Sequence, residues 1–379
     1  MCGIAGFVND MPIDVKCPVL QRMTDMIAHR GPDSEGHYID EHAALGHRRL
    51  SIIDLGGGQQ PIYNEDGSKV ITFNGEIYNY QTLREELIAA GHTFTTKSDT
   101  EVLLHGYEQW GVDLLQRVRG MFTFVIWDKN KQELFGARDH FGIKPFYYAK
   151  MNGTFMYASE IKSLLRHPDF VKELNAEALK PYMTFQYPAI GETFFKGVYK
   201  LPEGHYFTYR DGKMDIHRYY DEDFREGKQK LGELVNSIDQ TVCDSVKAHQ
   251  IADVEVGSFL SSGVDSSYVA AVARPQHTYS IGFGKGTYNE SQQAGELAEL
   301  LKLNNTAESL TDEEAFAAFP RIQWHLDEPD SNPSCVPLYF LSALAAKDVK
   351  VVLSGEGATS CSPDTSTTAC TPNSSPSRW

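Results

Sequence analysis

The sequence predicts two fold classes in series: an α+β domain with antiparallel sheets, then an α/β domain with a parallel, helix-flanked sheet. Three observations carry this. Short runs rich in β-branched and aromatic residues sit at hairpin spacing in the first two hundred residues, beside helical patterns. The composition shifts at the charged stretch Tyr219-Tyr220-Asp221-Glu222-Asp223-Phe224-Arg225. Beyond that stretch, strand and helix patterns alternate.

In the first domain, residues 70–73 and 121–127 read as strands, and 134–138 follows a Lys129-Asn130-Lys131 turn as a hairpin partner. Leu83, Leu87 and Ile88 fall at helical spacing, and Gly91 stands where a glycine stops a helix. Val102, Leu103 and Tyr107 repeat the pattern, with Asp99 as N-cap candidate and Gly111 at the end. In the second domain, 254–260 reads as a strand, 261–267 as a small-residue loop and 268–273 as a helix start. A second strand is expected at 278–283 and a helix over about 290–301. A Thr311…Glu314 capping box opens the next helix, and 349–353 is a buried-type strand. The expected boundaries are a first domain over 1–210, a linker over 211–228, a second domain over 229–358 and a tail over 359–379.

The length of 379 residues fits two or three domains at about 150 residues each. Hydrophobic content of 41% suits sizeable cores. The formal net charge of −16 argues against nucleic acid or an anionic membrane as the main partner. No apolar run reaches about 18 residues, so no membrane span is expected. The N-terminus lacks the basic and apolar regions of a signal peptide. Cys2, Cys17, Cys243, Cys335, Cys361 and Cys370 have no CxxC spacing and suit free thiols in a reducing cytoplasm.

The second residue carries the most chemistry. An initiator Met before a small residue is commonly trimmed, which leaves Cys2 at the N-terminus. One residue then supplies a thiol nucleophile and an α-amine base whose pKa is ordinarily about 7.7–8.0. The bland alternative is a small buried thiol beside a first strand. Four motifs downstream extend the chemical reading: Arg30-Gly31-Pro32-Asp33, His47 to Asp54, Asn74-Gly75-Glu76-Ile77-Tyr78-Asn79 and Ser98-Asp99-Thr100-Glu101. They suit hydrolysis of an amide on an amino acid. Asn74 and the Gly75 N–H, expected on a turn after a strand, can donate to an oxyanion. Arg49 offers a fork to a carboxylate. Glu76 and Asp99 offer negative charge to an ammonium. Singly, each has a structural alternative: a hairpin turn, a helix cap, a surface ion pair.

These motifs, with Cys2-Gly3-Ile4 and Arg49-Leu50-Ser51-Ile52, resemble the glutaminase domain of class II glutamine amidotransferases, most closely that of glutamine-hydrolysing asparagine synthetases. The resemblance implies a four-layer αββα domain of the N-terminal-nucleophile type over roughly 2–210. It implies Cys2 as nucleophile, Asn74 and Gly75 as oxyanion hole, Arg49 on the glutamine carboxylate, Glu76 and Asp99 on its ammonium, and backbone near Ile53 assisting.

In the second domain, Ser261 to Ser267 follows a strand. Small residues let a backbone approach a phosphate, and the N–H groups of the next helix favour an anion. Asp265 can reach a magnesium ion. No Gly-Lys-Ser/Thr follows, so this is not a Walker loop. The loop is similar to the pyrophosphate loop of ATP pyrophosphatases, with Ser262 at the first glycine of that pattern. The same resemblance implies Leu260 and Ile281 framing adenine, Ser261, Gly263, Asp265 and Ser266 near the phosphates, and Ser354 and Gly355 beside the nucleotide. Asp327 and Glu328, before Pro329, read as a structural turn. ATP and Mg2+ are the implied cofactors. The implied substrates are L-glutamine, L-aspartate and ATP, with a homodimer as the open question of assembly and no nucleic acid or membrane partner. Two other functions stay open: an amidotransferase with a different acceptor, of the β-lactam synthetase or peptide-modifying kind, and a non-catalytic glutamine-binding fragment.

The resemblance stops at Ala358. Of the last 21 residues, 11 are Ser or Thr, a composition that does not offset its ordering entropy. The run Ala-Thr-Ser-Cys-Ser-Pro-Asp-Thr follows from Ala-Asp-Glu-Leu-Phe-Ala-Gly-Tyr by loss of one G from a plausible codon string. The expectation is therefore a single-base frameshift, an incomplete second domain, retained glutaminase activity and a defective synthetase half. The DNA around codon 358 decides it.

Overall fold

The computed structural model describes residues 1–223, 229–283 and 290–357. The chain divides into two units, one of Met1–Gly227 with Gln323–Asn332, the other of the remaining residues.

The first unit holds β1 (Gly3–Val8), α1 (Ile13–Asp25), β2 (Ser34–Ile39), β3 (Ala43–Arg49), β4 (Ile62–Tyr63), β5 (Lys69–Ile77), α2 (Tyr80–Ala89), α3 (Asp99–Trp110), β6 (Gly120–Asp128), β7 (Glu133–Arg138), β8 (Tyr147–Met151), β9 (Thr154–Ala158), α4 (Ile161–Leu164), α5 (Leu179–Phe185), β10 (Val198–Lys200), β11 (His205–Arg210) and β12 (Lys213–Arg218). Its strands form two six-stranded sheets, ordered β10-β8-β9-β1-β3-β2 and β12-β11-β7-β6-β5-β4. Every paired strand in them runs antiparallel to its neighbour.

Alternation along each strand sorts side chains between two layers of core. Ile4 and Leu45 from the first sheet meet Val70, Val125, Trp127 and Phe207 from the second. Ala5, Phe7 and Ala44 face the other way, onto Leu20 and Met23 of α1 and Ile161 and Leu164 of α4. On the outer side of the second sheet, Tyr107 of α3 stacks on Phe135 of β7 with ring centroids 4.8 Å apart. The order of layers is helix, sheet, sheet, helix, as the family resemblance implied. Gly6 sits where this packing leaves no room: a Cβ there would lie 2.4 Å from the Tyr157 hydroxyl and 2.5 Å from the Ala44 carbonyl.

Three local expectations need correction. Asn74-Gly75 is not a turn after a strand: β5 continues to Ile77, and both residues pair with β6. The N-cap of α3 is Ser98, whose Oγ accepts from Thr100 N at 3.0 Å; Asp99 is the first helical residue. The hydroxyl is the shorter reach, which frees the Asp99 carboxylate to accept from Ile77 N at 3.0 Å. Residues 213–218, expected in a linker, form edge strand β12, because Asp211 and Gly212 take up positive φ and turn the chain back on β11. The helical spacing of Leu83, Leu87 and Ile88 holds in α2, with Leu83 and Leu87 buried and Ile88 at the surface. Residues 224–228 of the expected linker lie outside the described residues, as do the tail at 359–379 and the frameshift point at Ala358.

The second unit holds α6 (Leu231–His249), β13 (Val256–Phe259), α7 (Val264–Ala273), β14 (His277–Phe283), α8 (Glu290–Leu301), β15 (Asn304–Leu310), α9 (Asp312–Leu326, whose last turn belongs to the first unit), α10 (Cys335–Ala345) and β16 (Val351–Leu353). Four strands in the order β15-β14-β13-β16 pair in parallel. Helices connect them, as parallel strands require. The Thr311–Glu314 capping box forms reciprocally, at 3.0 Å and 3.2 Å. Strand β15 was not expected: Asn304-Asn305-Thr306-Ala307-Glu308-Ser309-Leu310 is a polar edge strand without the apolar run that marks a buried one. Among the described residues, no helix is long and apolar enough to cross a membrane.

Candidate active site

In the first unit, Cys2, Arg49, Ile53, Asn74, Gly75, Glu76 and Asp99 line one cavity of about 50 Å³, with Met1, Gln60, Ser98 and Lys144. Each arrives for a local reason. Cys2 precedes β1. Its Sγ lies 3.4 Å from Leu50 N and 3.6 Å from Leu50 O, just past the end of β3. Arg30 donates from Nε to the Cys2 carbonyl at 2.9 Å and from Nη1 to Glu160 at 3.0 Å, which ties down the N-terminus. Gly31 allows this turn, since a Cβ there would meet the Arg48 carbonyl carbon at 2.2 Å. Asp33 accepts from Ser51 N at 2.8 Å. The Arg30-Gly31-Pro32-Asp33 motif thus braces the cavity wall.

Alternation along β3 separates its two arginines. Arg48 pairs at the surface with Asp25 and Glu35. Arg49 is buried, and its Nη2 donates to the carbonyls of Ile53 at 3.0 Å and Asp54 at 2.7 Å. The Ile53 carbonyl is therefore already engaged by Arg49. Asn74 is 1% exposed, and neither its Oδ1 nor its Nδ2 has a hydrogen-bond partner. Gly75 is fixed by its neighbour strand: a Cβ would lie 2.2 Å from the Met121 carbonyl oxygen.

Burial dominates the electrostatics. It pushes the Glu76 carboxyl up to about 7, with Lys144 pulling back and Asp99 adding to the rise. It pushes Asp99 up to about 6 against its backbone hydrogen bonds, that from Ile77 first among them. It raises the Cys2 thiol, which the Leu50 hydrogen bond, the N-terminal charge and Arg49 draw back down. It lowers the Lys144 ammonium and takes the Met1 α-amine down to about 5. Lys144 Nζ stands 3.0 Å from Met1 Sδ. Lys144 and Gln60 were not singled out in the sequence. Lys144 lies in an irregular stretch after β7 with no motif around it, and only the fold brings it to the cavity.

In the second unit, Leu260, Ser261, Gly263, Asp265, Ser266, Ile281, Ser354 and Gly355 line a separate cavity of about 640 Å³, well within the range of ligand pockets, about 300–1,000 Å³. It opens where β13 and β14 end, at the N-terminus of α7. Ser261 Oγ and Ser266 Oγ are 2.8 Å apart, and Gly263 N donates to Ser261 Oγ at 3.1 Å. Ser262 is absent from the residues with positive φ, so a side chain is compatible with its backbone there. Gly355 closes against the helix start: a Cβ would lie 2.6 Å from Ser266 N. Asp265 and Glu356 are the carboxylates at this cavity. Asp327 and Glu328 are elsewhere, in the first unit. Asp327 pairs with Lys162 at 2.9 Å, and Glu328 accepts from Phe194 N at 3.1 Å, in keeping with a structural turn.

A family model described as a glutamine amidotransferase domain matches residues 1–220, and one described as asparagine synthase matches 237–360. The chain is 44% identical over 366 residues to "Asparagine synthetase [glutamine-hydrolyzing] 1" of Bacillus subtilis, covering 94% of this chain and 58% of that protein. It is 38% identical to a putative glutamine-hydrolysing asparagine synthetase of Mycobacterium tuberculosis, with 94% and 59% covered. It is 33% identical to a putative one of Methanocaldococcus jannaschii, with 94% and 74% covered. The chain thus spans a little under three-fifths of the length of the first two relatives. With an amidotransferase domain ahead of a matching stretch of asparagine synthase, the chain belongs to the family of glutamine-hydrolysing asparagine synthetases.

Proposed function

We propose that this chain hydrolyses L-glutamine at the cavity of its first unit, as the ammonia-yielding half of a glutamine-dependent asparagine synthetase. The observation that carries the reading is Asn74, a buried amide without a partner at the same cavity as the Cys2 thiol. After removal of Met1, the Cys2 α-amine takes the thiol proton. The thiolate attacks the glutamine δ-carboxamide carbon. Asn74 Nδ2 and the Gly75 N–H donate to the oxyanion. Collapse expels ammonia, which leaves with the proton held by the α-amine, and a γ-glutamyl thioester remains. Water then releases glutamate. Arg49 holds the glutamine carboxylate, with backbone near Ile53, and Glu76 and Asp99 hold its ammonium group.

The second cavity supports ATP binding. Gly355 leaves room for close packing on the α7 N-terminus, whose N–H groups suit a phosphate. Leu260 and Ile281 offer apolar walls for a base, and Ser261, Gly263, Ser266 and Ser354 offer small polar ones. Asp265 is assigned to magnesium, which would offset phosphate charge, with Glu356 the other carboxylate within reach. In the full reaction the aspartate β-carboxylate attacks the ATP α-phosphorus and diphosphate leaves. Ammonia then displaces AMP to give asparagine. We assign 1–220, which includes strand β12, to the first activity and the second unit from 229 onward to the second. A cytoplasmic setting is proposed from the free Cys2, Cys17, Cys243 and Cys335. Self-association as a homodimer is checked by sedimentation.

The test is glutamate release from glutamine by the purified chain, with intact mass reporting Met1 removal. Cys2→Ala should abolish release, and Asn74→Ala should lower kcat by about 100- to 1,000-fold. Unchanged release by Cys2→Ala overturns the assignment.

A further inference from the structure

Four side chains converge in the first unit away from the glutamine cavity. Glu65 comes from the turn between β4 and β5, His92 from the loop after α2, and His105 and Glu108 from α3. The i, i+3 spacing puts the last two on one face of the helix. One ligand atom from each residue lies within 4.8 Å of every other. The separations from His105 Nδ1 are 2.9 Å to Glu108 Oε2 and 3.5 Å to Glu65 Oε2. Those from His92 Nδ1 are 3.4 Å to Glu65 Oε1 and 4.0 Å to Glu108 Oε2. Metal bonds of about 2.0–2.1 Å in a tetrahedron place ligand atoms about 3.3–3.4 Å apart. The quoted separations, which use both oxygens of Glu65, run from 2.9 to 4.0 Å around that spacing, and one atom from each residue stays within 4.8 Å of the others.

The groups behind these four match what a metal site needs. Both imidazoles turn Nδ1 inward; the outer Nε2 of His92 has an acceptor within hydrogen-bond reach, while that of His105 is buried without a hydrogen-bond partner and faces a carboxylate. His92 Nε2 lies 3.2 Å from Gln109 Oε1, and His105 Nε2 lies 3.7 Å from Glu101 Oε1. Glu101 is itself held by the backbone N–H and hydroxyl groups of Thr95 and Thr96, at 2.6–2.9 Å. An acceptor hydrogen-bonded behind a histidine, as Gln109 is to His92, fixes its tautomer and raises its strength as a ligand. The carboxylates are oriented as well. Thr93 N donates to Glu65 at 3.1 Å, and Asn64 Nδ2 to Glu108 at 2.6 Å. His105 is 1% exposed, while Glu65 is exposed and gives an ion access.

We propose that Glu65, His92, His105 and Glu108 bind one zinc ion, which clamps α3 to the β4–β5 turn and the loop after α2. Two nitrogen and two oxygen ligands in a near-tetrahedral set favour zinc over magnesium or calcium, which take oxygen donors in larger shells. Four protein ligands close the set, so the role is structural. The first residue of α3, Asp99, lines the glutamine cavity, so the clamp also anchors one wall of that site. The inference stands whether or not glutamine is the substrate.

The test uses the full chain without an affinity tag, in a Cys2→Ser background to remove the cavity thiol. After EDTA and buffer exchange, zinc sulfate is titrated. Metal content is read by mass spectrometry and stability by thermal unfolding. One zinc per chain is expected, with a midpoint rise of about 5–10 °C at a hundredfold excess over Kd. His92→Ala and Glu65→Gln, both at partly exposed positions, should each lose this uptake and rise while unfolding near the metal-free midpoint of the parent. No stoichiometric uptake by the parent overturns the site. So does uptake that survives both variants, which would mean adventitious zinc on other thiols. An equal rise with magnesium overturns the choice of zinc.

Discussion

Glutamine should bind roughly fifteenfold more weakly at about pH 6 than at about pH 7.5. The perturbation acts on Glu76 and Asp99, whose burial raises their carboxyls to about 7 and about 6. In the free protein both carry protons at mildly acid pH. An ammonium group between them favours their charged forms, so binding must expel those protons. One proton at a pKa of 7 costs about eightfold in affinity over that interval, and one at 6 about twofold. Isothermal titration of the Cys2→Ala chain in two buffers of different ionisation heat reads both affinity and protons. Between one and two protons should leave per glutamine near pH 6. Glu76→Gln should flatten most of the slope. Affinity independent of pH, or tighter in acid, refutes the placement of the ammonium.

The same shifts set the sign of the stability profile. A carboxyl with a raised folded-state pKa holds a proton that the unfolded chain releases. Its contribution is fully present below the unfolded value, 4.5 for Glu76 and 3.8 for Asp99, and is lost as pH rises through about 7 and about 6. Free protein should therefore lose stability across that window, and glutamine should restore it at the upper end.

Two substitutions probe the surroundings of the sites. Gly355→Ala brings a Cβ to 2.6 Å from Ser266 N and 2.8 Å from the Asp265 carbonyl carbon; overpacking of about 1–3 kcal/mol should displace the α7 start and weaken ATP binding measured by equilibrium titration, and unchanged affinity argues against that cavity as the nucleotide site. Lys162 is 4% exposed and bridges Glu160 and Asp327. Lys162→Met leaves the buried Asp327 carboxylate without its cation, while Glu160 keeps Arg30 at 3.0 Å, and should cost about 3–5 kcal/mol in chemical denaturation, whereas an unchanged midpoint would mean that water replaces the ammonium there.

Much of the candidate site was legible because its residues lie in short contiguous motifs that chemistry recognises. Arg49, Asn74, Gly75, Glu76 and Asp99 converge on Cys2 as their types suggested. Local geometry was less legible. Asn74-Gly75 has the composition of a hairpin turn, yet the ladder with β6 holds it in a strand, because tertiary pairing outweighs turn propensity there. Ser98 and Asp99 are both good caps, and composition alone does not choose between them. Lys144 and Gln60 carry no local signal, since their approach to the cavity depends on contacts distant in sequence. Strand β15 was hidden by its polarity: it is an edge whose hydrogen bonds to β14, rather than side-chain burial, define it.

What distinguishes the cavity is that its polar groups are each poorly served by the protein alone. An unpaired buried amide costs about 1–3 kcal/mol, and Asn74 carries both of its polar atoms in that state. Burial holds the Glu76 and Asp99 carboxyls above their ordinary values, and the Asp99 charge adds to the rise at Glu76. Lys144 is held where burial disfavours its charge. Selection for stability alone would replace several of these with apolar side chains of similar size. A single small molecule bearing a carboxylate, an ammonium and a carboxamide answers most of these deficits together: the ammonium charges the two carboxyls, and the carboxamide, once attacked by sulfur, supplies the oxyanion that Asn74 lacks. If glutamine is that molecule, as proposed, the strain would be relieved on binding and most fully when the oxyanion forms, which is the condition for binding energy to lower the barrier instead of merely filling the site.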